Sequence, residues 1–138
     1  MARTRSRTQP CDRGAALNRL SQAESFLLAA DLVTADDSDV ANPGVAAALA
    51  VLAGIAAADA ACCAKLGVRS RGQSHGDAID LLTTVAPSGA AMAKDLGRLL
   101  NRKDDSHYGV AFASPGDAER MIGWASRLLA RARAAVES

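Results

Sequence analysis

Apolar positions recur along this chain with the spacing of helices, while Val and Ile are too scattered to propose strands. Leu17, Leu20, Leu27 and Leu28 mark the apolar side of a first helix from about Arg13 to Leu32, and a polar loop runs from Thr34 to Ala41. Asn42-Pro43 then opens a second helix as N-cap and first helical residue, and Gly67 closes it after Leu66. The stripe of this helix is Val45, Leu49, Leu52, Ala56, Asp59, Cys63 and Leu66. Asp59 thus falls on the apolar face, where a carboxylate is costly unless something pairs with it. Ser74 caps a short third helix from His75 to about Val85, with Asp77 in the capping-box position. Pro87-Ser88 starts a fourth that carries Met92, Leu96, Leu99 and Leu100 and reaches Arg102 or a little beyond. Gly109 to Ala113 reads as a loop. Ser114-Pro115-Gly116-Asp117 starts a fifth, which runs to about Val136 and buries Ala118, Met121, Ile122, Ala125, Leu129 and Ala132.

These elements predict an all-α, up-and-down bundle of four main helices and one short one over residues 13–138, preceded by a basic arm at 1–12. Composition sharpens the expectation. Hydrophobic residues make up 49% of the chain but aromatic residues only 3%, so Ala, Leu, Val and Ile must build the core, which favours closely packed helices over a β-sandwich. Val45 to Ala58 is uncharged, too short to span a bilayer and followed at once by Asp59, the pattern of a buried helix. No apolar stretch of signal-peptide length follows the arm. The three cysteines, Cys11, Cys62 and Cys63, have no C-x-x-C or Cys/His metal spacing. They read as reduced thiols of a cytoplasmic protein, with Cys62 and Cys63 as small helix-packing residues.

Net charge is +1 and names no partner. Its distribution says more. Arg3, Arg5, Arg7 and Arg13 against Asp12 leave the N-terminal stretch at +3, and Asp31, Asp36, Asp37 and Asp39 form an acidic loop. The arm reads either as a solvated terminus or as a handle on nucleic acid through counterion release. Arg120, Arg127 and Arg131 line the outer face of the fifth helix, as an ordinary charged face or as a rail for phosphates. His75, beside Arg69 and Arg71, is either a surface-loop histidine or part of an anion site at a helix N-terminus.

The string Asn101-Arg102-Lys103-Asp104-Asp105-Ser106-His107-Tyr108 carries the clearest chemistry. Arginine offers a planar fork of donors to phosphate oxygens. Histidine gives or takes a proton near neutral pH. Asp59, facing inward, is a candidate to pair with Arg102 or to orient His107, and Tyr108 is either a phosphate contact or a packed aromatic with a wet hydroxyl.

With Arg102-x4-His107-Tyr108 near the end of the fourth helix, the Ala-rich stretch Ala53 to Ala60, and Arg71-Gly72-Gln73-Ser74-His75-Gly76-Asp77-Ala78, the chain resembles the HEPN family (higher eukaryotes and prokaryotes nucleotide-binding domain) over about residues 13 to 136. The resemblance implies a HEPN-like bundle and a metal-independent endoribonuclease, often the toxin of a toxin–antitoxin pair held quiet by a nucleotidyltransferase partner. It implies no metal and no cofactor, an RNA or nucleotide partner, and a homodimer in which two copies of the motif share a cleft. His107 would act as base on the RNA 2′-hydroxyl or as acid on the leaving oxygen. Arg102 would hold the phosphate, and a 2′,3′-cyclic phosphate would result. Lys103 stands where active members commonly carry a small polar residue. Lys103 with Tyr108 also fits relatives that bind a nucleotide or a nucleotidyltransferase without cleaving RNA.

Overall fold

Alanine decides how these helices pack. The computed structural model describes residues 7–71, 74–105 and 113–138, the side chains of 103–105 excepted. Its order of elements is β1 (Thr8–Pro10), α1 (Arg13–Ala35), α2 (Asn42–Leu66), β2 (Val68–Ser70), α3 (His75–Thr83), α4 (Gly89–Asp105) and α5 (Pro115–Glu137). The result is an all-α helical bundle, as the periodicity predicts. α2 is its central member and packs most extensively against α1 and α5, while α4 lies against α5 and α3.

α1 buries Ala16, Ala23 and Ala30, one every seven residues, together with Leu20. Leu17 and Leu28, expected on the inner side, are 48% and 61% exposed. On α2 the inversion is partial: Ala56, Asp59 and Cys63 of the expected stripe are buried. Its buried side includes Ala46, Ala50, Val51, Ala53, Gly54 and Ala57, whereas Val45 and Leu52 are 46% and 44% exposed. The reason is distance: methyl-sized side chains let neighbouring axes approach at the short end of the helix-packing range, and a leucine on that seam would force them apart. α4 and α5 follow the ordinary rule. Met92, Leu96, Leu99 and Leu100 are buried, and so are Ala118, Met121, Ala125, Leu129 and Ala132; Ile122 is half-buried and Leu128 joins them. α2 is long and apolar enough to cross a membrane, yet 72% of its most apolar window is buried inside the bundle, as befits a core helix.

The caps explain the boundaries. Asp12 accepts the Ala15 N–H at 2.8 Å and starts α1. Ser74 accepts the Asp77 N–H at 3.2 Å and starts α3. Ser114 and Asp117 form a reciprocal capping box at the start of α5, worth about 1 kcal/mol. Gly67 ends α2 with φ of 72°, a left-handed conformation that glycine adopts without strain. One expected cap is corrected: Asn42 is the first residue inside α2 and Ala41 holds the cap position without a side-chain bond. The Asn42 side chain instead donates back to the Asp36 carbonyl at 2.6 Å and ties the acidic loop.

Two further corrections concern the N-terminus. Residues 8–10 form a strand after all, pairing antiparallel with β2 in the register Thr8↔Ser70, Gln9↔Arg69 and Pro10↔Val68. Both strands have only three residues, too few for a period to show. Cys11 and Cys63 form a disulfide across a sequence separation of 52, with Cα atoms 5.3 Å apart, so the expectation of reduced thiols does not hold for this pair. Cys62 does stay a packing residue; burial, reinforced by the Asp59 charge, pushes its thiol up to about 12.

Closing a loop of this size lowers the entropy of the unfolded chain. Cys11→Ser should therefore lose about 4 kcal/mol of stability in urea unfolding without reductant, and a loss below about 1 kcal/mol would contradict the bond's role. The α3–α4 junction gives a second test. A Cβ on Gly89 would meet the Leu82 and Thr83 carbonyl oxygens at 2.6 Å, and backbone cannot step aside. Gly89→Ala should cost about 1–3 kcal/mol by the same measurement, against a gain in helix propensity if the contact were soft.

Candidate nucleic-acid interface

α4 and α5 run side by side, and their outer edges form one seam. On α4, Asp95, Arg98 and Arg102 fall at i, i+3 and i+7; on α5, Asp117, Arg120, Trp124, Arg127 and Arg131 fall on one stripe. Asp95 is only 3% exposed and lies among three guanidinium groups: Arg127 at 3.0 Å, Arg98 at 3.4 Å and Arg131 at 3.5 Å. The Arg98 guanidinium also sits 5.9 Å above the Trp124 ring, within cation–π range. At the other end Asp117 binds Arg102 at 2.8 Å and Arg120 at 2.6 Å. From Asp117 to Arg131 the row extends about 21 Å at the helical rise.

Among the described residues five arginines meet two carboxylates here, so this part of the seam carries an excess of positive charge that the chain's overall balance conceals. The arginines remain between 38% and 61% exposed at their side chains, while the aspartates that hold them are largely covered. A guanidinium has five donor N–H groups and spends one or two on its aspartate, leaving others to face solvent. Held cations in a row suit a polyanion better than loose ones, because less side-chain entropy is lost on contact.

The expected site residues fall into three places. Arg102 stands at the seam's end. His107 and Tyr108 lie outside the described residues, as does the Lys103 side chain. Asp59 is not the partner of Arg102: its Oδ2 accepts from Arg19 Nη2 at 2.8 Å and Nε at 3.1 Å, with Arg69 Nη1 at 3.5 Å. It is 8% exposed, so its position on the apolar face required such a partner, and burial pushes its carboxyl up from the usual range while the two arginines pull it back. Arg69 thus belongs to the Asp59 cluster. Arg71 is exposed and gives its backbone N–H to the Arg7 carbonyl at 3.1 Å, and His75 is the half-buried first residue of α3. A cavity of about 380 Å³ between the α1–α2 loop and the start of α5 is lined by Asp36, Asp37, Asp39 and Glu119, charges that repel a phosphate.

Asp95, Arg98 and Trp124 are the seam residues that sequence reasoning did not single out. Asp95 did leave a signal, at three residues after Met92 and four before Leu99, on the buried face. Arg19 left none, since its partner is 40 residues away. Compared with known proteins, the chain matches no family model, no curated protein and no solved structure.

The Ser114 N–H, donating to the Asp117 carboxylate, holds that carboxyl below its usual range, with Arg120 and Arg102 adding to the effect. The native state then binds fewer protons than the unfolded state as pH falls, so this contribution is complete above the unfolded value near 4 and is lost below it. The Tm advantage of the wild type over Asp117→Asn should shrink as pH is lowered from about 7 to about 3; an advantage constant in pH would show that the carboxylate charge is idle.

Proposed function

We propose that this chain is a HEPN-type RNA-binding protein whose RNA lies along the α4–α5 seam. One observation carries the reading: a row of half-exposed arginines, each pinned by a buried or half-buried aspartate, ends at Arg102, the arginine of the R-x4-H motif. RNA backbone charge matches such a row through counterion release, and Trp124 under Arg98 offers an apolar face beside it. In its catalytic form the protein is a metal-independent endoribonuclease. Arg102 turns from Asp117 to the scissile phosphate and His107 moves the proton of the 2′-hydroxyl. The motif supplies one histidine per chain for one proton transfer, so a homodimer supplies the second. The uncharged α2 surface around Val45 and Leu52 is suited to such pairing. A toxin role, a nucleotidyltransferase antitoxin and a cytoplasmic location belong to the same reading, and the Cys11–Cys63 bond then has to persist against a reducing pool.

Arg102 is already engaged by Asp117, which favours a second reading, a non-catalytic module that binds RNA or a nucleotide. One experiment separates them. Structured RNA is incubated with the protein in EDTA, and both binding and end chemistry are read. Arg127→Ala and Arg131→Ala should each weaken binding about tenfold and lower the salt slope by roughly one phosphate contact. Cyclic-phosphate ends that vanish in His107→Ala while binding persists establish the ribonuclease. Binding without any cut establishes the module, and RNA affinity indifferent to both arginine variants removes the seam from the reading.

A further inference from the structure

Asp59 has more cation around it than its own charge requires. Arg19 alone makes a two-nitrogen contact with its Oδ2, yet Arg69 approaches the same oxygen at 3.5 Å, so the cluster carries a surplus positive charge. That surplus faces a cavity of about 300 Å³ lined by Ala15, Asn18, Arg19, Gln22 and Arg69. Four of the lining residues, at positions 15, 18, 19 and 22, follow the i, i+3, i+4, i+7 spacing of one helix face. On α1 this face is polar apart from Ala15, whose small side chain leaves room.

The donors are held in place. Arg19 Nη1 donates to Gln22 Oε1 at 2.5 Å, and Arg69 Nη2 donates to Gln9 Oε1 at 3.1 Å. Gln9 is the cross-strand partner of Arg69, and β1 is tied to α2 just beyond it, where Cys11 meets Cys63 one turn after Asp59. Two guanidiniums are therefore fixed over a covered carboxylate, with N–H groups to spare and the Asn18 amide at the mouth. Pre-positioned arginines of this kind match the tetrahedral oxygens of phosphate. A cavity of this size, at the small end of the ligand-site range, has room for a phosphate group.

We propose that this cavity binds a phosphate group, either free or at the end of a small molecule such as a nucleoside monophosphate. The site lies between α1 and β2, uses none of the α4–α5 arginines, and does not rest on the RNA reading.

Calorimetric titration of the full chain with inorganic phosphate, adenosine monophosphate and adenosine tests it. Phosphate or the monophosphate should bind and adenosine should not; tighter binding of the monophosphate identifies a nucleotide as the source, and equal binding identifies free phosphate. Arg69→Ala removes one donor and should weaken binding about tenfold. Arg69 also contacts Asp59, so Asn18→Asp, at an exposed position with no buried partner, provides the independent variant: it puts a carboxylate at the mouth and should abolish binding while circular dichroism and Tm stay unchanged. Arg131→Ala, on the far seam, should leave the titration as it was. Equal binding of adenosine, no binding of either phosphate compound, or a response to Arg131→Ala as large as to Arg69→Ala overturns the proposal.

Discussion

Close approach of α2 to its neighbours is the constraint on which the rest of the structure depends. Its buried side is mostly alanine and glycine, and α1 meets it with Ala16, Ala23 and Ala30. Each contact is small, but short distances bring many backbone and methyl atoms within dispersion range, so the sum is large. At Gly54 the fit leaves no room even for a methyl: a Cβ there would stand 2.5 Å from a Leu99 methyl. The two arginine clusters lie at the edges of the bundle, where helices present their flanks.

At those edges the same device appears twice. Asp59 and Asp95 are buried carboxylates, and each is met by more than one arginine. A lone buried carboxylate would be destabilising, and charge-assisted bonds from guanidinium offset that. Because the arginines outnumber the carboxylate in each cluster, positive charge is left at the surface and held still. At Asp59 the excess lines a small cavity; at Asp95 it forms part of an open row shared with the Arg102–Asp117–Arg120 group. Overall charge near neutrality hides both.

How far each feature could be read in the residues depended on its range. Helix starts and stops were legible because caps act over three or four residues: Ser74, Gly67 and the Ser114–Asp117 box do what their types suggest. Asn42 failed as a cap because the helix begins one residue earlier than its type suggests, and its amide N–H donates to a carbonyl in the preceding loop. The inner faces of α4 and α5 were legible from their leucines. Those of α1 and α2 were legible only in part: Leu20, Ala56, Asp59 and Cys63 are buried where the stripes put them, but hydrophobic size ranks Leu17 and Leu52 above alanine while packing distance ranks them below. At the candidate sites, Asp59 announced its need for a partner, and Arg120, Arg127 and Arg131 announced a row. No local pattern named Arg19, Arg98 or Trp124 as what they would meet.

Helix content, helix ends and the presence of a carboxylate on an apolar face were thus determined by the sequence alone, because propensity, capping and periodicity are properties of a few consecutive residues. The tertiary structure decided which side of an alanine-rich helix turns inward, which arginine answers which aspartate, and that Cys11 reaches Cys63. Those outcomes join positions tens of residues apart, and they depend on interaxial distances that exist only once the helices have packed.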